Sequence, residues 1–199
     1  MNKRILLSNI IVVIISANCF AQQKSADKPF QFHSINNVGL LEGQAGSALQ
    51  LQTINGVQHR SWFAGIGVGL DYYRYRTIPL FVDVRKEFGK SKNKFFIYAD
   101  AGMNFYWMRD KDVKQFYISD KLRNGFYSEA GTGYKCILNA SLSLLFSCGY
   151  SYKALAETGG SYYLYPVDPL PGVPSAPSYT PEKINYHLNR LILKIAIEF

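Results

Sequence analysis

Cysteine, methionine, histidine and tryptophan are all scarce in this chain of 199 residues, at three, three, three and two copies. Three cysteines cannot knit a disulfide scaffold. His33, His59 and His187 lie far apart in sequence and give no metal-ligand spacing. Charged residues make up 18% against 48% hydrophobic, which is too apolar for a disordered chain. Beyond residue 21 there is no long hydrophobic run. The most apolar stretch, Leu138 to Cys148, is short and studded with serine, whereas a spanning helix needs about 20 apolar residues. The formal charge of +8 is spread along the chain, with Lys90, Lys92 and Lys94 in one polar turn, so a nucleic-acid partner is not indicated. What is plentiful is tyrosine (15), phenylalanine (13) and glycine (16). These favour strands and turns over long helices.

The N-terminus reads as a secretory signal peptide. Lys3 and Arg4 are a basic start, Ile5 to Ile15 is almost wholly apolar, and small residues stand at Cys19 and Ala21. Cleavage is expected after Ala21, because the apolar run is too short to anchor in a membrane. Residues 22–30 are then a short periplasmic segment before a single domain over 31–199.

Within that domain the dominant signal is alternation with period two. Trp62, Ala64, Ile66, Val68 and Leu70 face one way, and Phe63, Gly65, Gly67, Gly69 and Asp71 the other. The same holds for Ile78 to Glu87, Phe95 to Trp107, Leu138 to Lys153 and Arg190 to Phe199. Side chains of a strand alternate between the two faces of its sheet, so each segment has one apolar face and one small or polar face. Gln31 to Gly43, Gly46 to Thr53 and Leu122 to Tyr134 complete a set of eight strands, the first without a defined facing. Asn55-Gly56 carries a hairpin-turn signature. Gly89 to Lys94 and Lys135 to Leu138 read as further short turns at the same end. The long connections 108–121 and 154–182 lie at the other end. The second of these holds six prolines, which exclude a regular ladder.

The strands are roughly 11 to 16 residues long, beyond the usual five or six and more than the 9 to 11 that cross a bilayer when tilted. The faces decide how the sheet closes. One is predominantly apolar. The other carries the glycine row together with Asp83, Arg85, Asp100, Glu129, Arg190 and Lys194. As the outside of a soluble barrel, the glycines would waste surface. As the inside of a narrow membrane barrel they make room, and the charges pair. Aromatics at strand ends, such as Trp62, Tyr72, Phe105, Trp107 and Tyr150, suit interfacial girdles. The expected fold is all-β: an eight-stranded antiparallel up-and-down transmembrane β-barrel with both termini periplasmic. Its lumen should hold an ionic network of the six charged residues just named.

With the signal peptide, eight amphipathic strands, alternating short and long connections and the final strand Leu191 to Phe199, the chain resembles small eight-stranded outer-membrane β-barrels of the OmpA/OmpX type, particularly those of Gram-negative Bacteroidota. The resemblance covers nearly all of the mature chain. It implies insertion into the outer membrane after export, contact with outer-membrane lipid, and Phe199 as the signal read by the barrel assembly machinery. It says nothing of activity, because one fold hosts many functions.

Chemistry is thin. His59-Arg60-Ser61 matches the H-x-S spacing of outer-membrane lipid A deacylases. It falls in a periplasmic turn with no acidic residue placed to orient the histidine. No catalytic, metal or cofactor set emerges. Cys136 and Cys148 are expected about 30 Å apart, too far for a disulfide. Eight strands leave an interior just filled by side chains, which excludes a porin-sized channel. A non-enzymatic role in envelope support, or in recognition of an extracellular protein or surface ligand, is the leading expectation. Phe116, Tyr117, Tyr162, Tyr163 and Tyr165 of the long loops are its candidate contact residues. A narrow channel or transport accessory is the alternative.

Overall fold

The computed structural model describes residues 30–89, 93–107, 118–139, 141–163 and 178–199, with the backbone alone described at 118–122, 159–163 and 178–182. Every regular element among them is a strand: β1 (Gln31–Gly43), β2 (Gly46–His59), β3 (Trp62–Asp71), β4 (Thr77–Phe88), β5 (Asn93–Tyr106), β6 (Ile118–Arg123), β7 (Gly125–Ile137), β8 (Ser143–Tyr163) and β9 (Ser178–Glu198). β6 and β7 flank Asn124 and pair with successive stretches of β8, so they form one stave in two segments. Neighbours pair antiparallel throughout, and β9 pairs with both β8 and β1, which closes an eight-stranded barrel. The termini meet at the seam, where Ser34 and Phe199 exchange backbone hydrogen bonds of 3.0 Å.

The alternation seen in the sequence is the alternation of burial. Along β3, Ile66 (65% exposed) and Val68 point outward, while Phe63, Gly65, Gly67 and Asp71 are buried. The facing of β1 is now defined: Ile35, Asn37 and Leu41 enter the lumen, and Val38 and Leu40 face out. The ten residues of β3, tilted by roughly 40°, span about 25 Å, the height of the apolar band on a membrane barrel. That band includes Ile66, Val68, Leu80, Val82, Leu193 and Ile195. Exposed aromatics rim it at both ends, with Trp62, Phe88, Phe95, Tyr134 and Phe199 at one and Tyr72, Phe105, Trp107 and Phe126 at the other. Lys86 reaches along the wall to lie over the Trp62 ring (4.8 Å) and the Phe88 ring (5.4 Å), an ammonium snorkelling at the interface.

Inside, Phe63, Phe81, Phe96, Tyr98, Tyr127 and Leu145 form the largest apolar cluster. Glycine makes it possible. A Cβ at Gly67 would collide with the Phe81 ring, and one at Gly133 with the Phe96 ring. The small residues of one strand thus accept the large rings of its neighbours.

Three expected boundaries move. Asn55-Gly56 is not a turn. β2 runs through it, pairing Asn55 with Ile66 and Gly56 with Gly65, and the chain reverses at Arg60-Ser61, with Arg60 at φ 57°. Extension to His59 keeps Val57 outward and Gln58 inward and covers β3 from its first residue. β7 continues to Ile137, so the following turn begins at Leu138, and Leu142 O accepts from the Leu138 and Asn139 amides. Leu142, which the alternation of Leu138 to Lys153 puts on the apolar face with Leu144, therefore precedes β8, while Leu144 remains on that face, half-buried. Finally, much of 154–182 is strand. Residues 154–163 of β8 pair with 178–187 of β9, and the proline at 181 is accommodated opposite Gly160. β1 stops pairing β9 at Gly43–Arg190, so among the described residues β9 has one ladder there and Pro181 has no second one to break. The hairpin stands above the rim, joined on its other side by β6, which begins within the expected 108–121 loop. The expected signal peptide lies outside the described residues.

Candidate functional site

Strand parity brings charges into the lumen, and the staves arrange them in three tiers. At the end bearing the short turns, Lys135 bridges Glu87 (2.7 Å) and Glu198 (2.6 Å), Lys94 adds a second bond to Glu87 (2.7 Å), and His33 Nδ1 lies 2.9 Å from Glu198. At mid-height three carboxylates stand abreast. Asp100 of β5 is directly opposite both Asp83 of β4 and Glu129 of β7. Like charges in such positions repel, and two cations relieve them. Arg85 Nε lies 2.9 Å from both oxygens of Asp83, and Lys194 pairs with Glu129 and approaches Asp100 to 4.0 Å. Tyr98 (2.9 Å) and Tyr127 (2.7 Å) each donate a hydroxyl to Glu129.

The third tier closes the lumen towards the β8–β9 hairpin. Arg190 donates to Asp71 (2.5 Å) and to Ser151 (2.7 Å), and Lys153 pairs with the other Asp71 oxygen at 3.1 Å. Lys153 also donates to the carbonyls of Tyr73 and Tyr75 and to Thr77 Oγ1. The β3–β4 turn is thereby drawn inward. Tyr73 is buried, with its hydroxyl accepting from the Ala45 amide, and the Arg190 guanidinium sits over its ring.

Above this plug lies a half-exposed mouth. Tyr75 and Tyr186 each donate towards Glu157 Oε2 (3.3 and 3.2 Å), and Tyr106 meets Tyr75 edge-on at 6.2 Å. Burial, with Tyr75 and Glu157 alongside, pushes the Tyr186 hydroxyl above its ordinary pKa, so it remains a donor. Arg74, at φ 56°, lays its guanidinium over the Tyr186 ring at 4.6 Å.

All six charged residues expected in the lumen are buried there, from Asp83 at 0% exposure to Arg85 at 5%. Their pairing is only partly as expected. Arg190 serves Asp71, not Asp83, Asp100 or Glu129. Asp71, Glu87, Lys135, Lys153 and Glu198 were missed as network members, although each stands on the inward parity of its strand. Of the loop aromatics, Phe116, Tyr117 and Tyr165 lie outside the described residues. The backbones of Tyr162 and Tyr163 belong to β8, opposite Tyr179 and Ser178. His59 closes β2 at the short-turn end, its ring 4.8 Å from that of Phe30, remote from the hairpin. His187 is on the outer wall, 2.6 Å from the Tyr152 hydroxyl. Cys136 and Cys148 are both free thiols. Among the described residues no group of potential ligands could hold a metal ion.

No family model matches the chain, and no curated protein matches it. Solved structures do. Neisserial surface protein A is 9% identical with a TM-score of 0.55, over 86% of this chain and 96% of that one. The outer membrane protein OprG from Pseudomonas aeruginosa is 12% identical with a TM-score of 0.46, over 84% and 95%. The first likeness is one of fold. Together with the lipid-facing band and the polar lumen, it makes this chain a small eight-stranded membrane-spanning barrel of the outer-membrane type.

Proposed function

We propose that this protein is a non-enzymatic outer-membrane barrel that acts through the surface beyond its hairpin end, as an envelope component or a recognition surface for an extracellular protein or ligand. The observation that carries this reading is the plugged lumen. Ion pairs and aromatic rings fill it in tiers, and the Tyr73–Tyr75 turn is tied across it by Lys153. On this reading a barrel so filled is closed to solutes, and its distinctive surface is the β8–β9 extension, which continues ten residue pairs past Lys153. On this reading the hairpin end faces outward and the short turns face the periplasm. Outer-membrane lipid surrounds the apolar band, and the assembly machinery captures β9, ending at Phe199, by edge pairing.

The test is replacement of Gly159–Pro181 by a two-residue turn, compared with loss of the whole protein in assays of adhesion and envelope integrity. The shortened protein should keep its membrane level and lose adhesion. If it replaces the full-length protein in every assay, recognition through the hairpin is wrong and a scaffold role remains. Ion conductance in planar bilayers should be absent, and measurable conductance would instead favour a channel.

A further inference from the structure

The mouth cluster has an imbalance that the described lumen does not share. Each lumenal carboxylate described above faces a lysine or arginine within 4.0 Å. Glu157 faces none among the described residues. Its partners are two tyrosine hydroxyls. Around it the rings of Tyr75 and Tyr186 meet at 58° and 5.5 Å, and those of Tyr75 and Tyr106 at 67° and 6.2 Å. The Tyr106 hydroxyl is buried with no hydrogen-bond partner among the described residues. Three inclined tyrosine rings clustered beside a carboxylate that pairs with no described cation, with a spare hydroxyl acceptor, are the chemistry that attracts an organic cation.

Part of that chemistry is already occupied from within. The Arg74 guanidinium lies over Tyr186 at 4.6 Å and Tyr75 at 5.8 Å, yet forms no ion pair with Glu157. Its backbone is held at φ 56°, a conformation that disfavours non-glycine residues. Arg74 is exposed and lies in a short irregular turn, so it can swing away.

We infer that Arg74, Tyr75, Tyr106, Glu157 and Tyr186 form a binding site for a guanidinium group, the head of an arginine side chain, with Arg74 as an internal occupant that the ligand displaces. The inference rests on the proposed outward facing of this end for its biological access. Binding to the purified barrel does not depend on that facing, so the two can fail separately.

The experiment is calorimetric titration of the full protein in lipid nanodiscs with N-acetyl-argininamide, a peptide-like probe, and agmatine, a free-cation probe. Binding of either supports the site, and the tighter one identifies the source. Arg74→Gly removes the occupant and suits the positive φ, so it should tighten binding about two- to fivefold. Glu157→Gln should weaken it about tenfold or more. Heat-modified gel mobility verifies that each variant is a folded barrel. Absence of binding by the Arg74→Gly protein overturns the inference, as does affinity that neither substitution alters.

Discussion

Substitution of Arg190 by alanine probes the ionic lumen most directly. The side chain is fully buried, and its guanidinium gives one hydrogen bond to Asp71 at 2.5 Å, one to Ser151 at 2.7 Å, and a stacking contact with Tyr73 at 5.4 Å. Stripping one partner from a buried ion pair costs about 3–5 kcal/mol, mostly because the other charge is left behind. Asp71 would not be left bare. Lys153 remains 3.1 Å away, and the Tyr73 amide still donates to it at 2.8 Å. The loss should therefore fall at the lower end, about 3 kcal/mol, or roughly a 150-fold shift in the folding equilibrium. Trp62 and Trp107, on opposite rims, are the two tryptophans of the chain and report unfolding in urea from lipid vesicles by fluorescence. Asp71→Asn alone leaves two buried cations facing each other. The double variant should thus be less destabilised than the sum of the singles, with a coupling of at least about 1.5 kcal/mol. A loss below about 1 kcal/mol, with additive singles, would mean that water solvates the upper lumen and that the ion pairs do not hold the plug.

Gly67→Val places a branched side chain against the Phe81 ring and should lower stability by about 1–3 kcal/mol in the same unfolding assay; an unchanged midpoint would show that the interior yields. Cys148 is exposed on the lipid-facing wall opposite Leu193. In vesicles of the Cys136→Ser protein it should react with an apolar maleimide and resist a charged thiosulfonate, and equal labelling by both would contradict a lipid-facing position. Deletion of Phe199 removes the residue whose backbone pairs with Ser34 across the seam and should reduce outer-membrane levels, read by blotting of membrane fractions. Unchanged levels would remove it from assembly.

The mouth and the lumen divide the labour of this barrel in electrostatic terms. Below the Tyr73–Tyr75 turn, buried charge is neutralised internally: Lys94, Lys135, Arg85, Lys194, Arg190 and Lys153 answer Glu87, Glu198, Asp83, Asp100, Glu129 and Asp71. Burial of such groups is tolerable only when they are paired. Above the turn that restriction ends, and Glu157 can stay unneutralised at the cost of little desolvation. A carboxylate waiting for a cation is affordable only where solvent reaches it.

Strand identity and facing were legible in the sequence because they depend on a local rule: side chains alternate, and each strand shows its own inside and outside. That rule alone put Asp83, Arg85, Asp100, Glu129, Arg190 and Lys194 in the lumen, and it would have added Asp71, Glu87, Lys153 and Glu198 had parity been followed to the strand ends. Turns were less legible. Asn55-Gly56 has the right local preference, but the ladder between β2 and β3 outweighs it, since ending β2 there would strip Ala64 and Trp62 of their partners. Pairing was not legible at all. Arg190 and Asp71 are 119 residues apart and sit on strands that are not neighbours. Their meeting depends on closure, on the stagger between staves and on the inward fold of the Tyr73–Tyr75 turn. Composition and alternation determined that this chain is a barrel with its apolar face turned to lipid. Only the closed structure decided which charges meet across the lumen, and that Glu157 meets none among the described residues, because those distances are set by the whole circuit of eight staves and by no single strand.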